Sequence, residues 1–206
     1  MKKNSISKIF LIWFFLTECT TTNVPPIDTY TLSPELDKNP ALAFKEQQGR
    51  FILKLSPIKA ARELNTTDIL YSSAQYNQES YAYSRWSDAP VTLLQMLFLS
   101  ALEETGQFRA VVPSTSASKP DFLLESILFN FSHHINTDGT SYGFIRIRFY
   151  LIDYPARMVT ATREFSSRVT ASSQNAESAA VALNKAAENI ALDLTTWLTQ
   201  AERLKK

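Results

Sequence analysis

Between Ser141 and Asp153 apolar and polar side chains alternate: Ile145, Ile147, Phe149 and Leu151 are separated by Arg146, Arg148 and Tyr150. Successive side chains of a strand point to opposite faces, so this run predicts a strand with one face in a core and one polar face. Two runs of similar length flank it, at residues 121–135 and 157–169. The connection 136–139 reads Asn-Thr-Asp-Gly, and Asp-Gly tolerates the positive φ of a tight hairpin. Residues 154–157, Tyr-Pro-Ala-Arg, read as a second turn. Together these segments predict an antiparallel meander with one buried face.

The remaining elements fit around that meander. Residues 28–32 and 50–58 read as strands, the second with Phe51, Leu53 and Leu55 on one face. "DILYSS" and "SYAYSRW" are two further β-rich runs. A helix follows, with Asp88 as its expected N-cap and Pro90 in its first turn, where a missing N–H costs nothing. Val91, Leu94, Leu97, Phe98, Ala101 and Leu102 recur at helical spacing, and Gly106 is placed to end the helix. Residues 107–112 return to strand. At about residues 175–204 a long helix carries the stripe Ala180, Leu183, Ala187, Ile190, Leu194, Trp197 and Ala201. The expected fold class is α+β: a mainly antiparallel sheet with two helices packed on one face.

The amino terminus is different in kind. Lys2, Lys3 and Lys8 precede an eight-residue apolar run, 9–16, too short for the roughly 20 residues of a membrane-spanning helix. A basic start and a short apolar middle make a secretory signal peptide, residues 1–18. Cys19, the only cysteine, stands directly behind it and has no intrachain disulfide partner. Leu16-Thr17-Glu18-Cys19 resembles a bacterial lipobox, although Glu18 departs from the small residue that normally precedes the cysteine. The resemblance implies a diacylglycerol on the Cys19 thiol and an acyl chain on its amine; no other cofactor is expected. Two or three acyl chains anchor stably where one holds only marginally. Residues 19–27, with Pro25-Pro26, read as lipidated cysteine and extended tether, and residues 28–204 as a single domain.

Composition excludes several classes. A formal net charge of +1 supplies no basic field for nucleic acid. Four glycines are too few for Gly-rich phosphate loops. His133 and His134 are neighbours on a strand, so they point to opposite faces and cannot chelate one metal together. The serines lie in no nucleophile-elbow motif, and Glu103-Glu104 read as a solvated face. No catalytic or metal-binding residue is expected, and the chain does not read as an enzyme. Arg146 and Arg148 share a strand face and would hold an anion or, more commonly, meet carboxylates on the next strand, with Glu125 and Glu164 as candidates. Tyr71, Tyr76, Tyr81, Tyr83 and Trp86 fall within sixteen residues. Such rings serve partner interfaces or fill a core, and spacing does not separate the two.

These features in order resemble one family. "YTLSP" at residues 30–34 follows the tether, and "ILYSSAQYNQESYAYSRWSDAPVTLLQMLFLSALEETGQFRAVV" carries the tyrosines, Trp86, Pro90, the Leu-rich helix, Gly106 and Phe108. The chain is similar there to the ABC-type transport auxiliary lipoproteins, the PqiC-like family, over about residues 30–197. The resemblance implies a non-catalytic, periplasm-facing outer-membrane lipoprotein that works with an MCE-domain protein and an inner-membrane transporter component. Such systems move lipids or other hydrophobic molecules between two membranes. Thr20 after the cysteine agrees with outer-membrane sorting. Tyr71, Tyr76, Tyr81, Tyr83 and Trp86 are then the expected contact for the partner or for a neighbouring copy in a homo-oligomer. Two rival readings are a lipid carrier with its own apolar cavity and a cell-wall or outer-membrane assembly lipoprotein.

Overall fold

The structure, a computed structural model, describes residues 25–33, 49–74 and 76–202. The signal peptide, Cys19 and the first part of the tether lie outside the described residues. In chain order the elements are β1 (Asp28–Tyr30), β2 (Ile52–Leu55), β3 (Lys59–Ala60), a 3-10 turn (Arg62–Asn65), β4 (Asp68–Ser72) and β5 (Glu79–Trp86). After these come α1 (Pro90–Glu104), β6 (Ala110–Pro113), β7 (Phe122–Ile135), β8 (Ser141–Asp153), β9 (Met158–Ala171) and α2 (Ala176–Glu202).

The α+β class and the two helices are as expected, and β7, β8 and β9 form the antiparallel meander. The sheet as a whole is mixed. The inner edge of β7 is lined by three short strands that all run parallel to it. Leu53–Leu55 of β2 pair with Phe122–Leu124, Lys59–Ala60 of β3 with Ile127–Leu128, and Tyr71–Ser72 of β4 with His133–His134. β6 extends the sheet beyond β2, and β5 and then β1 extend it beyond β4. Of these outer pairings, only β4–β5 is antiparallel.

The alternation in β8 works as its sequence implies. Ile145, Ile147, Phe149 and Leu151 are buried, while Arg146 is exposed. On β7 the parity changes midway. Phe122, Leu124 and Leu128 face the core, and so do Phe131 and His133. A bulge between Leu128 and Asn130 absorbs one extra residue, Phe129, and restores the facing.

Both helices cover this apolar face. Phe98 of α1 meets Phe149 edge-on at 5.5 Å, Phe149 lies 6.0 Å from Phe165, and Phe165 meets Trp197 of α2 at 6.1 Å. The alanines of α2 let the helix approach closely. A Cβ on Gly143 of β8 would stand 2.9 Å from the Leu183 backbone nitrogen. Asn175 caps α2, its side-chain oxygen accepting from the Ser178 N–H at 2.9 Å. α1 lacks the expected cap. Its N-cap position is Ala89, and Asp88 instead accepts from the adjacent Ala89 N–H. Pro90 at the first helical position and Gly106, at φ 63°, bound it as expected.

The start of the domain is tied to α2. Asn184 accepts from the Ser33 N–H at 2.8 Å and donates to the Thr31 carbonyl at 3.0 Å, so one amide side chain holds both polar groups of the segment after β1.

Candidate functional site

Four of the five aromatic residues singled out above lie on β4 and β5; Tyr76 lies in the turn between those strands. The fold divides the five. Trp86 is 1% exposed and packs edge-on against Phe131 at 5.4 Å, so its ring is closed to any partner. This corrects the expectation that Trp86 belongs to an interface. The reason is its position at the C-terminal end of β5, where its side chain joins the hydrophobic core against Phe131 of β7. Tyr71 donates to Glu79 at 2.5 Å, a bond that raises the phenol's pKa and lowers the carboxylate's. Tyr81 turns inward, tilted against Tyr71 at 4.8 Å and stacked on His133 at 6.2 Å. Tyr83 and Tyr76 remain outside, 50% and 97% exposed.

His133 and His134 do point to opposite faces. His133 is buried on the core side, with Nδ1 2.8 Å from the Tyr81 hydroxyl, which also lies 3.3 Å from the Gln174 carbonyl. Both contacts are met when Nδ1–H donates to Tyr81 and Tyr81 donates to Gln174. Nε2 is then a bare acceptor, and it is buried without a hydrogen-bond partner. Burial pushes the Tyr81 phenol up to about 12, with Tyr71 adding to it. Burial lowers His133 below the ordinary histidine value, and the His134 charge lowers it further; burial and then Arg168 lower His134.

The lowered histidines predict a pH dependence of stability. As the pH falls through about 6.5, the unfolded chain takes up protons that the folded chain resists. Stability present above that value is therefore lost on acidification, until the pH passes the lower folded-state values. The carboxylates with lowered pKa, Glu79 and Asp138, act only below their ordinary 4.5 and 3.8. Thermal unfolding between pH 7.5 and 5.5 is expected to show a falling midpoint, and the double variant His133→Gln/His134→Gln a flatter profile. An equal slope in both proteins overturns this assignment.

The face of the meander opposite the helices carries a second set of groups. Arg148 forms the anticipated cross-strand ion pair, reaching Glu164 at 2.6 Å. Tyr150 and Glu164 together raise the Arg148 pKa above its ordinary value. Glu125, the other expected partner, stands opposite Tyr150 instead. Arg146 meets no carboxylate among the described residues; its guanidinium lies 5.1 Å from the centre of the Phe129 ring, with Arg148 at 5.2 Å from the same ring. Arg168 also lacks a carboxylate there, and it lies 4.2 Å from the Tyr142 ring and 5.6 Å from Phe144. His134 stacks on Tyr142 at 5.1 Å and 5°. The result is a row of rings topped by guanidinium groups, with Arg146 and Arg168 exposed. Phe129 enters this row only because of the bulge, and Arg168 was not singled out in the sequence; its role depends on register, which places it opposite Phe144. Chemically the face suits a partner that brings carboxylates and planar or apolar groups together. Among the described residues no cluster of His, Cys, Asp and Glu could hold a metal ion.

Comparison with known proteins fits this fold. Residues 30–194 match the family described as the ABC-type transport auxiliary lipoprotein component. The chain belongs to that family. Its members are auxiliary components of transport systems, which sets this domain beside a transporter. No curated protein sequence matches the chain significantly. Among solved structures, protein XCC0632 from Xanthomonas campestris, of family DUF330, superposes with a TM-score of 0.76 at 19% identity, over 86% of this chain and 97% of that one. A second, described as an uncharacterized protein, gives a TM-score of 0.62 at 12% identity, over 84% and 99%. At these identities the likeness concerns the fold.

Proposed function

We propose that this auxiliary lipoprotein is a non-catalytic docking module of an intermembrane transport system for lipids or other hydrophobic molecules. Its acylated Cys19 fastens it to the periplasm-facing leaflet of the outer membrane. Its partner is an MCE-domain protein, linked in turn to the inner-membrane transporter component. The observation that carries the reading is the pair Arg146 and Arg168, exposed and with no carboxylate partner among the described residues, on a sheet face that neither helix covers. Two cations held over aromatic rings favour an acidic surface that arrives with its own apolar groups.

Capture of the full chain from detergent-solubilised envelopes tests it. The expected result is co-recovery of an MCE-type protein and a transporter subunit, with diacylglyceryl and N-acyl groups on Cys19 by mass spectrometry. The Cys19→Ser variant is expected to move from the membrane pellet to the soluble periplasmic extract. Recovery without any transporter component after mild cross-linking, or an unmodified Cys19, overturns the reading.

A further inference from the structure

Tyr76, 97% exposed, lies at the end of the domain from which the tether leaves. β1 runs parallel to β5 with Asp28 beside Ser84, so the chain enters β1 from the side of the β4–β5 turn. β5 continues past the start of β1 for five residues, to Glu79, which is about 16 Å at the strand rise. The turn bearing Tyr76 lies further out in the same direction. Cys19 stands nine residues before Asp28, a reach of about 30 Å at full extension. The tip of the hairpin therefore projects on the side from which the chain enters β1, within the full reach of residues 19–27.

We propose that this tip seats in the interface of the bilayer that holds Cys19, with Tyr76 as the inserted ring. The inference rests on the anchoring proposed above. Tyrosine suits the headgroup level because it joins an apolar ring to a polar tip. Tyr76 is 97% exposed, and Ile27 and Tyr83 are each half exposed. The hairpin connection 73–78 carries no charged residue, and neither does 172–175 after β9; the neighbouring turn 136–139 has Asp138 as its only charge. With no lysine or arginine in these turns, binding depends on ring insertion rather than on anionic lipid. The opposite end also exposes apolar groups, Tyr154, Met158 and Val159. It lies the length of β8 away, about 43 Å for thirteen residues, on the side opposite to the one from which the chain enters β1. That end points away from this bilayer.

Tryptophan substituted at the tip reports its depth. The acylated full chain carrying Tyr76→Trp is reconstituted in phosphatidylethanolamine–phosphatidylcholine vesicles, with and without brominated acyl chains. Trp86 and Trp197 are buried and serve as an unquenched background. The expected result is a blue-shifted emission from position 76 that brominated lipid quenches, unchanged by salt or added anionic lipid. Tyr154→Trp is expected to stay unquenched. Vesicle-bound protein whose Tyr76→Trp emission is not quenched overturns the proposal while leaving the anchor intact. Emission shielded only on addition of the transporter partner overturns it too, and returns the tip to a protein interface. Protein that does not sediment with vesicles and carries no acyl group removes the anchoring reading itself.

Discussion

Trp86→Ala is expected to cost about 3–5 kcal/mol of stability, the usual range for deleting a large buried aromatic ring. Trp86 is 1% exposed, and Phe131, its edge-on neighbour, is equally buried. Trp86 ends β5 opposite Tyr30 of β1, and its backbone N–H donates to the Thr67 carbonyl at 2.7 Å. Removal leaves a cavity bordered by a ring that has lost its partner, and a stiff sheet collapses into such a space only in part. A domain of this size has roughly 5–15 kcal/mol in total, so the loss is a large share. Urea unfolding followed by circular dichroism checks it: the midpoint falls while the slope stays the same. Tyr83→Ala, three residues earlier and half exposed, is expected within about 0.5 kcal/mol of the parent. If Trp86→Ala instead unfolded at the parent midpoint and lost only partner capture, Trp86 would be an interface residue after all.

That contrast shows where reading the residues alone runs out. The alternation of β8 was sufficient to place Ile145 to Leu151 in the core, because a strand of period two has one solution when one face is apolar. For Arg146 and Arg148 the sequence offers Glu125 and Glu164 alike; only the register selects Glu164, opposite Arg148, and sets Glu125 opposite Tyr150. β5 gave no such lever. Its pairing with β4 slips between Asp68 and Leu70, which sit opposite Arg85 and Ser80, so five residues of one strand span two of the other. Parity along β5 then fails to say which of Tyr81, Tyr83 and Trp86 turns inward. The bulge at Phe129 was hidden likewise, because one apolar residue among several carries no mark of being the extra one. Parallel pairing of β2, β3 and β4 to β7 was invisible as well, since periodicity encodes a face and never the direction of a neighbour.

Arg146→Glu combined with Arg168→Glu is expected to reduce recovery of the transporter partner by more than about tenfold, since like charges brought together in an interface cost several kcal/mol. Neither arginine has a carboxylate to lose among the described residues, and both are exposed, so the unfolding midpoint is expected to stay close to that of the parent. Arg148→Glu is a poorer probe, because it also breaks the pair with Glu164. Arg62→Glu, on the exposed 3-10 turn, changes net charge away from this face and serves as the control. Salt separates a docking charge from general repulsion. The screening length falls from about 10 Å at 0.1 M to about 3 Å at 1 M, so capture by the parent should weaken as salt rises, while the residual capture by the double variant stays level. Undiminished capture by the double variant at low salt would remove the arginine face from the docking account. The lipid-facing role of Tyr76 would be untouched by that result, because the two surfaces lie on different parts of the sheet and are read by different measurements.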